Sequence, residues 1–422
     1  MDDLKRLSTE LPNQDITFLG DSQYVYHCHH FNLFHDQTVE DALGEAKAYE
    51  IRSRAASQAA HQLLAALVQR FGAETPAERL QVASSVFPWM GHGQLELLGE
   101  ADGGTARGEY LHYSFAWREK YGERIRRKFP IDAFAAGYSA AATEVAFGLA
   151  SGSLLPAESR CFACREPACH FQFEPQSSPL SVSDVDRSHV ESHLGAPAAG
   201  QNEAEISRVA RLLKDFVLGV EGDPRGLVQG FGLFITRHLT NYYNATAYDT
   251  IHHIEQQSPA SAPVVEELFG ESGHVCAFYT CGNILQSPEW EALVGPVAGG
   301  VENVVSACVA ICRALGFGHW TIEELVPEER LVLRSTSNYE APFYLAQYGQ
   351  SEKPRCYFFA NAARALMQLA HQVDWTQPPS LDDALYQSLF KNGMGWTLEQ
   401  TSCLTRGEEY SEVVVTRKGS ST

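Results

Sequence analysis

Long apolar runs are missing from this sequence: none approaches the roughly 18–20 residues needed to span a bilayer. The opening segment, MDDLKRLSTELPNQD, is polar and lacks the apolar core of a secretory signal. A cytoplasmic protein without a membrane partner is therefore expected. Positive charge is also short, with 32 Lys and Arg against 52 Asp and Glu and a formal net charge of -20. Such a surface repels phosphate backbones, and no recognition-helix pattern or basic arm occurs, which argues against nucleic acid as a partner. No Gly-rich phosphate loop or nucleotide fingerprint is present, and no Ser-His-Asp ordering can be singled out.

What is present suffices for real cores, since hydrophobic residues make up 44% of the 422 and aromatics 11%. At roughly 100–200 residues per domain this length implies two domains or three. A polar, Ser/Pro/Gly/Ala-rich stretch after Pro175 has no sustained periodicity and reads as a linker. It separates a first domain, 1–175, from a second, 206–422, with 176–205 between them.

Residues 39–72 carry apolar side chains at mixed i, i+3, i+4 spacing and read as helical. Residues 94–117 alternate and contain Gly103-Gly104, as in a β-hairpin turning there. Pro130–Ala150 is rich in small residues and helical, and a strand from His170 to Phe173 follows the cysteine cluster. The second half repeats the order: a helix over 298–315, a strand pair over 319–336, a helix over 356–371 after Pro354, and a strand over 412–417. Residues match as well. Asn32 in HHFNLFHDQTVEDAL faces Asn283 in TCGNILQSPEWEAL, which sets His30 opposite Cys281. Gly91-His92-Gly93 faces Gly316-Phe317-Gly318-His319, and ESRCFACREPACHFQF faces EQTSCLTRGEEYSEVV. Several such matches in one order indicate a duplication. The expected fold class is α+β, two tandem copies of a domain with helices on a small antiparallel sheet.

The strongest chemical signal is Glu158-Ser-Arg-Cys161-Phe-Ala-Cys164-Arg-Glu-Pro-Ala-Cys169-His170. Thiolates bind Zn²⁺ strongly, and a Cys-x-x-Cys turn puts two sulfurs on one side of a loop. The competing reading is a set of free, buried thiols. A second signal is His27-Cys28-His29-His30. On a strand only alternate residues share a face, and on a helix His27 and His30 do, so at most two of the four can share an ion. His30 and Cys281 meeting on the pseudo-two-fold axis would form a second metal site, imidazole plus thiolate suiting iron, copper or zinc. The alternatives are a partly exposed polar segment, or substrate-binding and acid–base histidines. A third group, including Phe87, Trp89, His92, His112, Tyr113, Trp117 and Tyr138, suits a flat apolar ligand or ordinary core packing. Cys308 and Cys312, at i, i+4, read as small core residues.

The Glu-x-x-Cys-x7-Cys arrangement, behind a Pro-initiated helix with Gly-Tyr-Ser/Ala residues, resembles the 4-vinyl reductase domain family. That family includes sensor domains of phenol- and xylene-responsive transcription activators. The resemblance covers about residues 20–175 and 270–418 and implies helices packed on a small antiparallel sheet, usually dimeric. It implies zinc held by Glu158, Cys161 and Cys169, with Asp132 at the place of an upstream Cys and Cys164 as an additional thiol. It also implies an aromatic-ligand pocket in which a His and a Trp recognise a hydroxyl, for which His92, His112 and Trp117 are candidates, with Tyr138 on the pocket helix. In the second copy Cys356 and Cys403 match, Ser411 replaces the last Cys, and the acid shifts by one to Glu399, so that site is expected to be metal-free or weak.

Two functions follow as expectations. One is a binding module for a small apolar, aromatic molecule beside a zinc site, working as a homodimer or through a partner protein. The other is an oxidoreductase using iron or haem, with His27, His29 and His30 as ligands or catalytic groups acting on an aromatic or tetrapyrrole substrate.

Overall fold

A computed structural model of the protein describes residues 2–11, 13–122, 124–176, 185–297, 299–391 and 395–419. Its strands are β1 (Ser8–Leu11), β2 (Ile16–Leu19), β3 (Ser22–Cys28), β4 (Glu96–Glu100), β5 (Gly103–Gly108), β6 (Leu154–Arg160), β7 (Cys169–Pro175), β8 (Val228–Gly230), β9 (Leu233–Leu239), β10 (Trp320–Val326), β11 (Arg330–Ser335), β12 (Trp396–Ser402) and β13 (Ser411–Arg417). They form three antiparallel sheets, in the orders β1-β2-β3-β9-β8, β4-β5-β7-β6 and β10-β11-β13-β12. With the helices around them, this is an α+β fold.

The two four-stranded sheets have the same topology, and the helices between their strands recur in the same order. Helices His29–Leu43, Glu45–Phe71, Pro76–Trp89, His112–Tyr121 and Ala133–Phe147 of the first half correspond to Thr240–Gln257, Ala262–Cys276, Val301–Ala314, Glu340–Tyr348 and Tyr357–Gln372 of the second. The halves join in the shared sheet, where β3 pairs β9 with Tyr24 opposite Leu239 and Cys28 opposite Ile235. β3 is buried along its whole length. A strand covered on both faces can be apolar or aromatic throughout, and SQYVYHC shows no polar alternation. β13 instead alternates, Val413 and Val415 inward and Glu412 and Thr416 partly exposed, because only one face of its sheet is covered.

Close helix packing explains the small-residue run after Pro130. Helix Ala133–Phe147 lies against Glu45–Phe71 so tightly that a Cβ on Gly137 would sit 2.1 Å from the Ser53 carbonyl oxygen. The second copy has the same crossing with the glycine on the other helix: a Cβ on Gly273 would sit 2.4 Å from the Phe358 carbonyl oxygen.

Several sequence expectations need correction. The partner of the β3–His29 helix unit is β9 with Thr240–Gln257, not the segment around Asn283. His27 therefore matches His238, and His30 does not match Cys281. Short residue identities misled there, because the duplicated feature is a strand-to-helix joint whose side chains have diverged. The 94–117 stretch is a hairpin only to Gly108; His112–Tyr121 is a helix. Its turn falls on Ala101-Asp102, while Gly103 and Gly104 open β5, where a Cβ on Gly104 would lie 2.4 Å from the Leu98 carbonyl oxygen. Of the expected 176–205 linker, 177–184 lie outside the described residues. The rest is pinned to the second half through Gly195 N–H donating to the Thr336 carbonyl and Gln201 N–H to the Ile322 carbonyl.

Candidate functional site

β3 and β9 each end in a buried histidine that crosses into the other half. His238, on the second half's strand, projects among first-half rings: its centroid lies 4.4 Å from Phe134 and 4.7 Å from His92. His27, on the first half's strand, lies 4.8 Å from Phe317 and 5.4 Å from Phe358. Phe134 and Phe358, like His92 and Phe317, occupy corresponding places in the two copies. Each copy's central aromatic cluster thus receives an imidazole from the other, a consequence of antiparallel pairing across the pseudo-two-fold axis.

The first cluster centres on His92, which is 1% exposed. Its ring stacks on Phe134 at 4.3 Å and has Phe87 at 5.3 Å and His112 at 5.9 Å. Neither ring nitrogen has a hydrogen-bond partner among the described residues. The neighbours are better served: Asn32 Nδ2 donates to His112 Nε2 at 2.9 Å and to Thr236 Oγ1 at 3.0 Å. The Tyr113 hydroxyl lies 3.0 Å from His238 Nε2, and the Tyr243 hydroxyl donates to Asn32 Oδ1 at 2.5 Å. Burial, and then the nearby His238, hold the His92 pKa well below that of an ordinary histidine, so the ring is neutral at pH 7. Tyr138 lies behind Phe87, at 4.7 Å, with its hydroxyl donating to the Ala83 carbonyl. Trp117 is not brought to His92: it packs on Tyr121 at 4.3 Å and under the Arg127 guanidinium at 4.7 Å. His238 and Phe134 escaped the sequence reading; the match of Thr-Arg-His-Leu (236–239) to Val-Tyr-His-Cys (25–28) at a strand end is the signal that could have found His238.

A second cluster lies one helix away. Asp132, Glu158, Cys161 and Cys169 are all buried and place their donor atoms within 4.8 Å of one another. Asp132 stands before helix Ala133–Phe147, Glu158 on β6, Cys161 just after it and Cys169 at the start of β7. Cys169 Sγ donates to Asp132 Oδ2 at 3.2 Å and accepts from the Phe162 N–H at 3.2 Å. Glu158 Oε2 accepts from the Asp132 N–H at 2.9 Å, while Glu158 Oε1 has no partner among the described residues. Burial, then the Cys161 sulfur, raise the Asp132 carboxyl to about 7. Cys164 is partly exposed and stands outside this four-residue group.

At the corresponding place in the second copy, Cys403 Sγ lies 3.3 Å from Cys356 Sγ, and Ser411 Oγ lies 3.5 Å from Cys356 Sγ. The acid is absent: Gln400 pairs with Val413 as Glu158 pairs with Phe171, while Glu399 points to solvent. Both carboxylates of the first cluster are gone.

The His27–His30 segment spans the β3-to-helix joint: the His29 and His30 rings lie 4.0 Å apart, while His27 packs against Phe317 and Phe358 of the second half. His27 Nδ1 lies 3.4 Å from Cys276 Sγ, His29 Nδ1 lies 3.4 Å from the Phe234 carbonyl, and His30 stacks on Tyr279 at 3.9 Å. Burial lowers His29 to about 4 and His30 to about 2. His30 and Cys281 belong to no group of three or more potential metal ligands among the described residues.

No helix among the described residues is long and apolar enough to cross a membrane. No family model matches the chain, and no curated protein matches it. Among solved structures the chain is similar to the phenol-responsive sensory domain of the transcription activator PoxR with phenol. The identity is 17% and the TM-score 0.34, over 41% of this chain and 87% of that one.

Proposed function

We propose that the protein binds a small, largely apolar aromatic molecule carrying a hydroxyl, at the aromatic cluster around His92, beside a structural zinc ion. The observation that carries this reading is the His92 ring, buried among aromatic walls with both nitrogens unpaired. An unpaired buried polar group costs about 1–3 kcal/mol. A phenol-like guest removes that cost by donating its hydroxyl proton to the neutral imidazole or accepting its N–H, while its ring packs against Phe134 and Phe87. A charged guest is disfavoured, because His92, His112 and His238 are all held neutral by burial.

The residues near this cluster also suit zinc. Glu158 Oε1 is an orphaned buried acceptor, and two thiols and two carboxyls converge from one corner. Four protein ligands close a zinc site and give it a structural role, tying β6 and β7 to the helix that carries Phe134 and Tyr138. This reading places the chain with the 4-vinyl reductase domains that its Glu158-to-Cys169 motif resembles.

The test is ligand-induced thermal stabilisation with phenol, compared with cyclohexanol and benzoate. Phenol is expected to raise the melting temperature in a concentration-dependent way and benzoate to have no effect. His92→Phe should abolish the phenol shift while leaving the protein folded. Equal phenol shifts in both proteins would refute the assignment.

A further inference from the structure

The corner of the second copy has changed its chemistry as well as lost its acids. Cys356 precedes helix Tyr357–Gln372 as Asp132 precedes Ala133–Phe147. Cys403 opens a short turn, Leu404–Arg406, as Cys161 opens Phe162–Cys164. The first copy therefore sets a thiol beside a carboxylate, with Cys161 Sγ 3.8 Å from Asp132 Oδ2. The second sets a thiol beside a thiol, at 3.3 Å. A carboxylate can share an ion with a thiol but is not joined to it by oxidation; two thiols in contact can be. With Gln400 and Ser411 in the remaining places, this corner keeps only two of the four ligands of a closed zinc site.

The surrounding hydroxyls supply donors to the sulfurs. Thr405 stands where the first copy has Ala163. Its Oγ1 accepts from the Arg355 N–H at 3.2 Å, which leaves its own proton for Cys403 Sγ, 3.1 Å away. Ser411 Oγ accepts from the Leu404 N–H at 3.1 Å and from Asn338 Nδ2 at 3.0 Å. Its proton is left for the two sulfurs, 3.5 Å away at Cys356 and 3.9 Å at Cys403. The Cys356 thiol first, and then the Thr405 hydroxyl, hold Cys403 at about 5 against the opposing effect of burial, whereas burial pushes Cys356 up. One sulfur is thus a nucleophile and its neighbour keeps a proton. Both are fully buried, but the turn after Cys403 reaches the surface: Arg406 and Gly407 are exposed, and Leu404 and Gly407 line an open cleft.

We infer that Cys356 and Cys403 form a redox-sensitive pair, which hydrogen peroxide converts to a disulfide and a dithiol reductant restores. The Cys403 thiolate attacks one peroxide oxygen, the O–O bond breaks, hydroxide leaves and Cys403 becomes a sulfenic acid. The Cys356 sulfur then attacks the Cys403 sulfur; its proton leaves with the departing hydroxyl as water and the S–S bond forms. Two thiols and one peroxide give one disulfide and two waters. Burial favours an oxidant this small and uncharged, which local opening of the Leu404–Arg406 turn admits. The bond fastens the end of β12 to the start of the helix whose Phe358 packs 5.4 Å from His27. The inference is independent of the His92 and zinc readings.

The test treats the folded full chain, reduced beforehand, with hydrogen peroxide. Free thiols are then trapped with iodoacetamide in denaturant and the peptides mapped by mass spectrometry. The Cys356 and Cys403 peptides are expected to be recovered joined, lighter by the two hydrogens lost, and to separate with both thiols restored by dithiothreitol. In Cys356→Ser, Cys403 should stop at the sulfenic acid and be labelled by dimedone; in Cys403→Ser, Cys356 should stay unlabelled. If either variant fails to fold, the wild-type map decides by itself. Three results overturn the proposal: both thiols still alkylated after peroxide has oxidised the partly exposed Cys164, either thiol joined to another cysteine, or a link that forms only after unfolding.

Discussion

His27→Phe tests the electrostatics of the two aromatic clusters. His27 is fully buried, sandwiched between Phe31 at 3.7 Å and Phe317 at 4.8 Å, with Tyr243, Tyr339 and Phe358 around its edge. Its titratable neighbours are Cys276, His35, His238, Tyr243 and Tyr339, and none is a carboxylate that could stabilise imidazolium. Burial first, and His35 second, hold its pKa well below the ordinary value. In the unfolded chain the same histidine titrates near pH 6.5. Between those limits the unfolded state binds more protons, so stability is lost as pH falls through about 6.5. Phenylalanine is close in size and does not titrate. The gap between wild type and variant should therefore move in favour of the variant by about 1.2 kcal/mol between roughly pH 7 and pH 5.5. All other groups are common to the two proteins and cancel. Urea unfolding followed by circular dichroism at several pH values measures the gap. A gap that stays constant to within about 0.3 kcal/mol across this range would mean that His27 is either charged in the folded protein or solvated, and the neutral-cluster picture fails.

Four further outcomes are expected. Cys161→Ser should lower bound zinc, measured by elemental analysis, and the melting temperature together; unchanged zinc removes Cys161 from the ligand set. His92→Phe should leave the ligand-free protein as stable as wild type or up to about 1–3 kcal/mol more so, since an unpaired buried imidazole is removed; a large loss in urea unfolding contradicts this. Gly137→Ala should cost about 1–3 kcal/mol, because its Cβ meets the Ser53 carbonyl at 2.1 Å, whereas Gly299→Ala, with nothing within 4 Å, should stay within about 0.5 kcal/mol of wild type. Arg52→Met should destabilise by about 3–5 kcal/mol, because Arg52 bonds Asp36 and Glu40 at 2.7 Å each and its loss leaves buried Asp36 without a guanidinium partner and Glu40 with Arg127 alone; near-normal stability refutes the pairing.

The shared sheet carries the functional consequence of the duplication. In this chain the two similar halves meet across β3 and β9. Joining them in one polypeptide frees the copies to diverge. The first has two acids and two thiols in its corner, while the second has Cys356, Gln400, Cys403 and Ser411 there.

Local spacing by itself determined the α+β class, the repeated order of elements and the Glu158–Cys161–Cys169 knuckle. Those features depend on periodicity, turns and short-range motifs that lie within about fifteen residues. Asp132 as the fourth member was legible only through the resemblance. The meeting of His238 with His92, the cross-donation of His27 and the π-helical turn at Ala277–Cys281 were decided only in three dimensions. Each depends on which strand edges pair and on a one-residue bulge in a helix. Pairing and bulge are settled by how the two halves bury their apolar faces against one another, and not by any run of neighbouring residues.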